Sequence, residues 1–184
     1  MHMKSVTVAV VLAVLGLFAS GTSFAHTKAE INRSADRALK QFYTLNPTNR
    51  ELVGKAAGIL IFGHVTKGGV GVGGEFGEGV LRVQGQTVDY YSVGSASIGL
   101  TLGLAKHREI ILFMTQGALD HFTKSEGWSA GGDSAIAVVS QGAGGQYDAT
   151  MMGKPILGFV FGEKGLIGDL SLEGTKVTKI KTDD

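Results

Sequence analysis

From Ile59 onward the chain interleaves strand-forming apolar residues with glycine. The pattern is clearest at Val70-Gly71-Val72-Gly73, where large and absent side chains alternate with the period of a strand. Glycine weakens a strand, because its backbone loses most entropy on ordering and it offers nothing to pack. Repetition on this scale therefore needs a structural reason. One is sharp coiling and bulging, which curl a small sheet toward closure; the other is close approach of a helix or ligand to bare backbone. Further strand text lies at Ile59-Leu60-Ile61-Phe62, Thr87-Val88-Asp89-Tyr90-Tyr91, Ile98 to Leu104, Glu109 to Met114, Ala135 to Val139, Ile156 to Phe161, Leu166 to Leu172 and Lys176 to Ile180. Gly85-Gln86 supplies a hairpin turn, and only Gln116 to Thr123 interrupts the run with a helical pattern. Short strands so close together indicate a sandwich or barrel-like sheet, not alternating βαβ units.

The glycine count, 29 in 184 residues, comes with only two prolines and no Gly-X-Y period, which excludes collagen. A chain that is 43% hydrophobic and 18% charged is too apolar to remain disordered. Zero cysteine excludes a disulfide scaffold, a thiolate metal site, a cysteine nucleophile and a lipid-modified N-terminal cysteine.

Ahead of the strands, Thr27-Lys28-Ala29-Glu30 has the form of a capping box. Ile31, Ala35, Ala38, Leu39, Phe42 and Leu45 then recur at helical spacing, with Lys28, Arg33, Asp36, Arg37 and Lys40 on the other side. Asn46-Pro47 ends this helix, and Thr48-Asn49-Arg50-Glu51 reads as a second capping box opening a shorter one. The apolar stripe either covers the domain core or lies at a membrane interface.

Residues 1–25 read as an address. Lys4 gives a positive start, Val6 to Ala19 is almost wholly apolar, and Ser23-Phe24-Ala25 places small residues where a signal peptidase cuts. The apolar run of about 14 residues falls short of the roughly 20 that span a bilayer. Cleavage after Ala25 would leave a single domain, 26–184, exported to the periplasm, with secretion as the second choice. Removing Lys4 turns the formal charge of +1 into neutrality, which argues against nucleic acid as a partner. The neutrality hides a split. Residues 26–67 carry seven Lys/Arg against three acids, and the remainder carries nine against thirteen. The molecule thus has a basic front section.

The motifs for chemistry are mostly negative. Gly69-Val70-Gly71-Val72-Gly73-Gly74 satisfies G-x-G-x-x-G, but the glutamates and glycines after it cannot open the helix a dinucleotide needs. Gly63-His64-Val65-Thr66-Lys67-Gly68 lacks the lysine of a phosphate loop at Gly69. Glu75 and Glu78, three apart, would point to opposite faces of a strand and read as solvated. No histidine pair has metal-ligand spacing and there is no G-x-S-x-G elbow. Neither a metal, a cofactor nor an enzymatic activity is therefore expected. Lys106-His107-Arg108 and Lys67 remain, read as basic loops able to contact phosphate oxygens.

The ordered text resembles one family. Ala56-Ala57-Gly58-Ile59-Leu60-Ile61-Phe62, Lys67-Gly68-Gly69 and Gly77-Glu78-Gly79-Val80-Leu81 look like the opening of the SYLF domain. Ser97-Ile98-Gly99-Leu100, Leu112-Phe113-Met114, Gly132-Asp133-Ser134, Lys164-Gly165-Leu166-Ile167-Gly168 and Ser171-Leu172-Glu173-Gly174 follow in order, so the resemblance spans about residues 30–180. It implies binding of phosphoinositides and related anionic phospholipids, partly through an amphipathic N-terminal segment. Two stretches depart from the family text. Gly142-Ala143-Gly144-Gly145-Gln146 lacks a proline and a cation found in many relatives, and Phe159-Val160-Phe161-Gly162-Glu163 lacks a basic residue.

The expectation is an α+β domain with two N-terminal helices packed on a strongly curved, mostly antiparallel sheet approaching a barrel. Its expected function is non-enzymatic binding of anionic phospholipid at a membrane surface. Lys28, Arg33, Arg37, Lys40, Lys67, Lys106 and Arg108 are the candidate headgroup contacts. Ile31, Leu39 and Phe42 are the candidate apolar contacts that insert or shift. The alternative is an envelope module that self-associates or binds a protein partner without lipid.

Overall fold

The computed structural model describes residues 26–70, 72–98, 103–125, 127–129, 136–139, 147, 153–162, 165–167, 172 and 174–182. The expected signal segment, the Gly132-Asp133-Ser134 motif and the departure at 142–146 lie outside these residues.

Helices α1 (Lys28–Leu45) and α2 (Thr48–Lys55) open the chain. Four long strands follow: β1 (Gly58–Val70), β2 (Val72–Val83), β3 (Gln86–Ile98) and β4 (Gly103–Phe113). Then come α3 (Gln116–Lys124) and the shorter strands β5 (Trp128–Ser129), β6 (Ala137–Val138), β7 (Ile156–Gly162), β8 (Gly165–Leu166) and β9 (Lys176–Lys179). The strands form one sheet in the order β5-β9-β3-β2-β1-β4-β7-β6, with β8 beside β7. Every pairing is antiparallel except β6 with β7. The sheet curls into a half-barrel, and its described path runs from β5 to β6 without closing.

The class is α+β, but the helical layer is not a simple N-terminal pair. Alternation along the strands makes two cores. On one face, Ile31, Ala35, Ala38 and Phe42 of α1 pack with Ile61, Val80, Ile110, Leu112 and Phe159; α2 adds Leu52. On the other, Leu119 and Phe122 of α3 pack with Leu60, Leu81, Tyr91, Ile111, Phe113 and Trp128. A single layer of sheet therefore separates two helix-covered apolar cores.

The caps decide the helix boundaries. Thr27 Oγ1 accepts from the Glu30 N–H at 3.3 Å and the Glu30 carboxylate accepts from the Thr27 N–H at 2.9 Å, the reciprocal box expected. The second box does not form. Asn46 Oδ1 accepts from the Thr48 N–H at 2.9 Å, and the helix starts behind Pro47 without a side-chain cap of its own. The β2–β3 turn falls at Gln84-Gly85, one residue earlier than expected, with φ of 52° and 79° as a type I′ hairpin requires.

The strands run further than the sequence patches suggested. Lys67 lies within β1 and Lys106-His107-Arg108 within β4, not in loops. Thr66 pairs with Lys106 and Lys67 with Glu75, so the ladder continues past the apolar stretch. A register shift beside Gly63 absorbs the irregularity. Polar residues can be strand residues here because alternate side chains have somewhere polar to go.

A cationic groove and a buried histidine between carboxylates

Helix α1 is tied onto the sheet by polar contacts as well as by its apolar stripe. Arg82 Nη2 donates to Asp36 Oδ1 at 2.7 Å, Asn32 Nδ2 donates to the Tyr90 hydroxyl at 2.7 Å, and Thr87 Oγ1 donates to Asn32 Oδ1 at 2.7 Å. Gln41 Nε2 reaches the Gly162 carbonyl at 2.7 Å. These bonds fix which side of α1 faces outward beside the sheet.

Beyond the apolar contact, the N-terminal half of α1 and the glycine-rich ends of β1 and β2 leave a groove of about 660 Å³. Arg33, Ser34 and Arg37 line it from the helix, and His64, Thr66, Phe76 and Glu78 line it from the sheet. Strand parity puts Lys106 and Arg108 on the same face of the sheet, beside that lining and not in it. Ile110 and Leu112 belong to the α1-side core and Ile111 and Phe113 to the other, so even-numbered β4 residues share the face of the groove. The imidazole of His64 senses them. Burial pulls its proton affinity below the ordinary histidine value, and the charges of Lys106, Arg108, His26 and Arg37 lower it further.

The acids of the groove are already engaged. Glu78 accepts from the His26 backbone N–H at 3.2 Å and pairs with His26 Nδ1 at 2.6 Å, while Glu30 is held in the capping box, which keeps its carboxyl below the usual range. Neither Arg33 nor Arg37 forms an ion pair among the described residues. Phe76 is 57% exposed at the groove, the most exposed large apolar side chain described. Arginines converging beside a bare aromatic ring can fork onto phosphate oxygens while the ring meets apolar chain.

The candidate cations thus divide. Arg33, Arg37, Lys106 and Arg108 share the groove face. Lys28 and Lys40 sit on α1 outside the lining of the groove. Lys67 falls on the opposite face, where its charge helps hold the Glu75 carboxyl down. Ile31 and Phe42, offered as insertion contacts, are 3% and 0% exposed; Leu39 is half-buried against the same core. In this structure they are core side chains, because the stripe that reads as membrane-facing is the stripe that covers β1 and β2. Exposing Ile31 and Phe42 would cost about 1.5–3 kcal/mol each. A surface cation at an anionic membrane contributes about 1 kcal/mol. Docked, the helix offers its arginines at no such cost.

The sequence reading missed Phe76 and misplaced Glu75. Both lie on β2, where Glu75, Gly77 and Gly79 face one way and Phe76, Glu78 and Val80 the other. The period-two signal was present, but with glycines on one face nothing along the chain marked that face as buried, and both glutamates read as solvated.

On the face away from the groove, Glu75 meets a second constellation. His107 Nε2 lies 2.9 Å from Glu75 Oε1 and 2.9 Å from Glu109 Oε1, with side chains 2%, 7% and 1% exposed in that order. Ser95 Oγ donates to Glu75 Oε2 at 3.3 Å. Burial alone would depress His107, but hydrogen bonds to Glu109 and Glu75 win and lift it to about 9. Burial raises Glu109 to about 7. Glu75 is held down at about 2 despite its burial, by hydrogen bonds within the cluster and the His107 charge.

Comparison with known proteins gives one finding for the C-terminal half. A family model described as Ysc84, Las17-binding protein actin regulator, matches residues 94–183. A search of curated proteins finds no match. The matched segment holds Lys106, Arg108, His107 and Glu109, while α1 and the groove lining precede it.

Proposed function

We propose that this chain, whose residues 94–183 match the Ysc84 (SYLF) family model, binds anionic phospholipid headgroups at a membrane surface through the groove between α1 and the sheet. The observation that carries this reading is the convergence of Arg33, Arg37, Lys106 and Arg108 on one face, beside the exposed ring of Phe76. The guanidinium groups of Arg33 and Arg37 take the phosphate oxygens, and Lys106 and Arg108 extend the positive surface along β4. Phe76 reaches past the headgroups into the apolar boundary. No described helix is long and apolar enough to cross a membrane. The attachment proposed is peripheral and non-covalent, with α1 docked throughout.

Chemistry is not part of the proposal: the groove presents cations and an aromatic ring and serves as a binding surface. The residue 1–25 pattern supports export, and we place the protein in the periplasm, facing the anionic surface of an envelope membrane. Sedimentation with neutral and anionic vesicles at low and high salt tests the reading. Binding confined to anionic vesicles and weakened by salt supports it; equal binding to both vesicle types removes it.

The family description names a protein partner, and a protein-binding or self-associating envelope module is the second reading. A stable oligomer that ignores vesicles of either composition would favour that reading over the first.

A further inference from the structure

We propose that Glu75, His107 and Glu109 form a binding site for one divalent transition cation of the zinc class, set in the face of the sheet away from the groove. The three residues offer one imidazole nitrogen and two carboxylate oxygens, all within 4.8 Å of one another. Zinc binds such donors at about 2.0–2.2 Å, which puts neighbouring ligand atoms about 3.3 Å apart in a tetrahedron. The 2.9 Å separations from His107 Nε2 to both carboxylates need to widen by only a few tenths of an ångström. Three such donor atoms leave a fourth position for the second Glu109 oxygen or for water.

The backbone holds this set in place. His107 and Glu109 are two apart on β4 and so share a face, and Glu75 reaches them from β2 across β1. Ligands on three-strand ladders move less than ligands on loops. Ser95, from β3, orients Glu75 through its far oxygen, as an outer-shell partner would.

A second observation points to a ligand. Glu109, 1% exposed, has its Oε2 buried without a hydrogen-bond partner. A buried carboxylate oxygen left unmatched is costly. A cation held by Glu109 with both oxygens would remove that cost. Two carboxylates and a neutral imidazole also balance a dication, leaving no net charge beneath the sheet. The donor set favours zinc or a neighbouring first-row ion over magnesium or calcium, which prefer oxygen alone. His107-Arg108-Glu109 is too short a strand signal to mark a metal site along the chain, where ligand spacing is usually sought on helices.

The test uses the chain from residue 26, dialysed against chelator and titrated with zinc, manganese or magnesium chloride. One equivalent of zinc should bind saturably, raise the melting temperature and shift the 15N resonances of the His107 imidazole. His107→Gln and Glu109→Gln should each weaken binding by at least about tenfold, and His121→Ala, at an exposed helix position, should leave it unchanged. Glu75→Gln, the least buried of the three, serves if the other variants do not fold. Absence of saturable binding, equal binding by the Glu75→Gln protein, or a wild-type His107 resonance unmoved by zinc would each overturn the proposal. The last outcome would leave the cluster a closed hydrogen-bonded triad without an ion.

Discussion

A β-carbon on Gly63 would overlap the carbonyl group of Ser34, so α1 rests directly on the bare backbone of β1. This is one place where the strand glycines have an identifiable use: the helix approaches as closely as backbone allows, at the register shift that ends the apolar half of β1. Gly63→Ala must push helix and strand apart, and we expect a loss of about 1–3 kcal/mol in chemical denaturation. Gly54, in α2, has open space around its missing β-carbon. Gly54→Ala should stabilise by about 0.5–1 kcal/mol, the opposite sign from the same substitution.

Asn49 is fully buried in α2 and joins three elements. Its Nδ2 donates to the Phe42 carbonyl at 2.7 Å and its Oδ1 accepts from the Tyr147 hydroxyl at 2.6 Å. Asn49→Leu strands the end of α1 and the tyrosine hydroxyl together and should cost about 1–3 kcal/mol. Tyr147→Phe removes one bond only and should cost less. Denaturation midpoints of the two variants, at unchanged slope, provide the check.

His64 should make the groove sensitive to acid. Lys106, Arg108, His26 and Arg37 surround it, Thr66 lies within 3.3 Å and Glu78 lines the same groove. Its proton affinity in the folded chain is below the ordinary value, with burial the main cause and the neighbouring cations adding to it. The stability contributed by the neutral ring is therefore complete above about pH 6.5 and is lost as pH falls below that. Phosphate in the groove reverses the penalty, because it favours the imidazolium. Vesicle binding should strengthen from pH 7.5 to 5.5, and His64→Gln should flatten both that rise and the acid-side slope of stability.

The groove cations should outweigh the others. Arg33→Ala and Arg37→Ala should each weaken binding to anionic vesicles by about 1 kcal/mol, or about fivefold, at low salt. Lys40→Ala and Lys67→Ala, outside the groove, should have smaller effects. Phe76→Ser should weaken binding without changing its salt dependence, since the ring contributes area and not charge. Equilibrium binding at two ionic strengths separates these cases.

Much of this fold was legible along the chain. The Thr27–Glu30 box and the Ile31–Phe42 stripe locate α1, and the alternation of glycine with apolar residues locates the sheet. What the sequence could not show is which surface the stripe meets. A face that covers β1 looks the same as one that meets lipid, because both demand a contiguous apolar surface. Polar strand residues were the other blind spot. Lys106, His107 and Arg108 resemble a loop until the ladder shows alternate residues going to a cationic groove and to a buried carboxylate pair. Phe76 and Glu75 were hidden for the same reason, by glycines that erase one side of the period-two pattern.

The central claim is that headgroups are held by the charge of the groove with α1 docked. Its most direct measurement is co-sedimentation of wild type and the Arg37→Glu/Arg108→Glu double variant with anionic and neutral vesicles, after circular dichroism shows both proteins folded. Anionic binding by the wild type that falls to the neutral-vesicle baseline in the variant is the result predicted. Undiminished anionic binding by the charge-reversed protein would contradict the account.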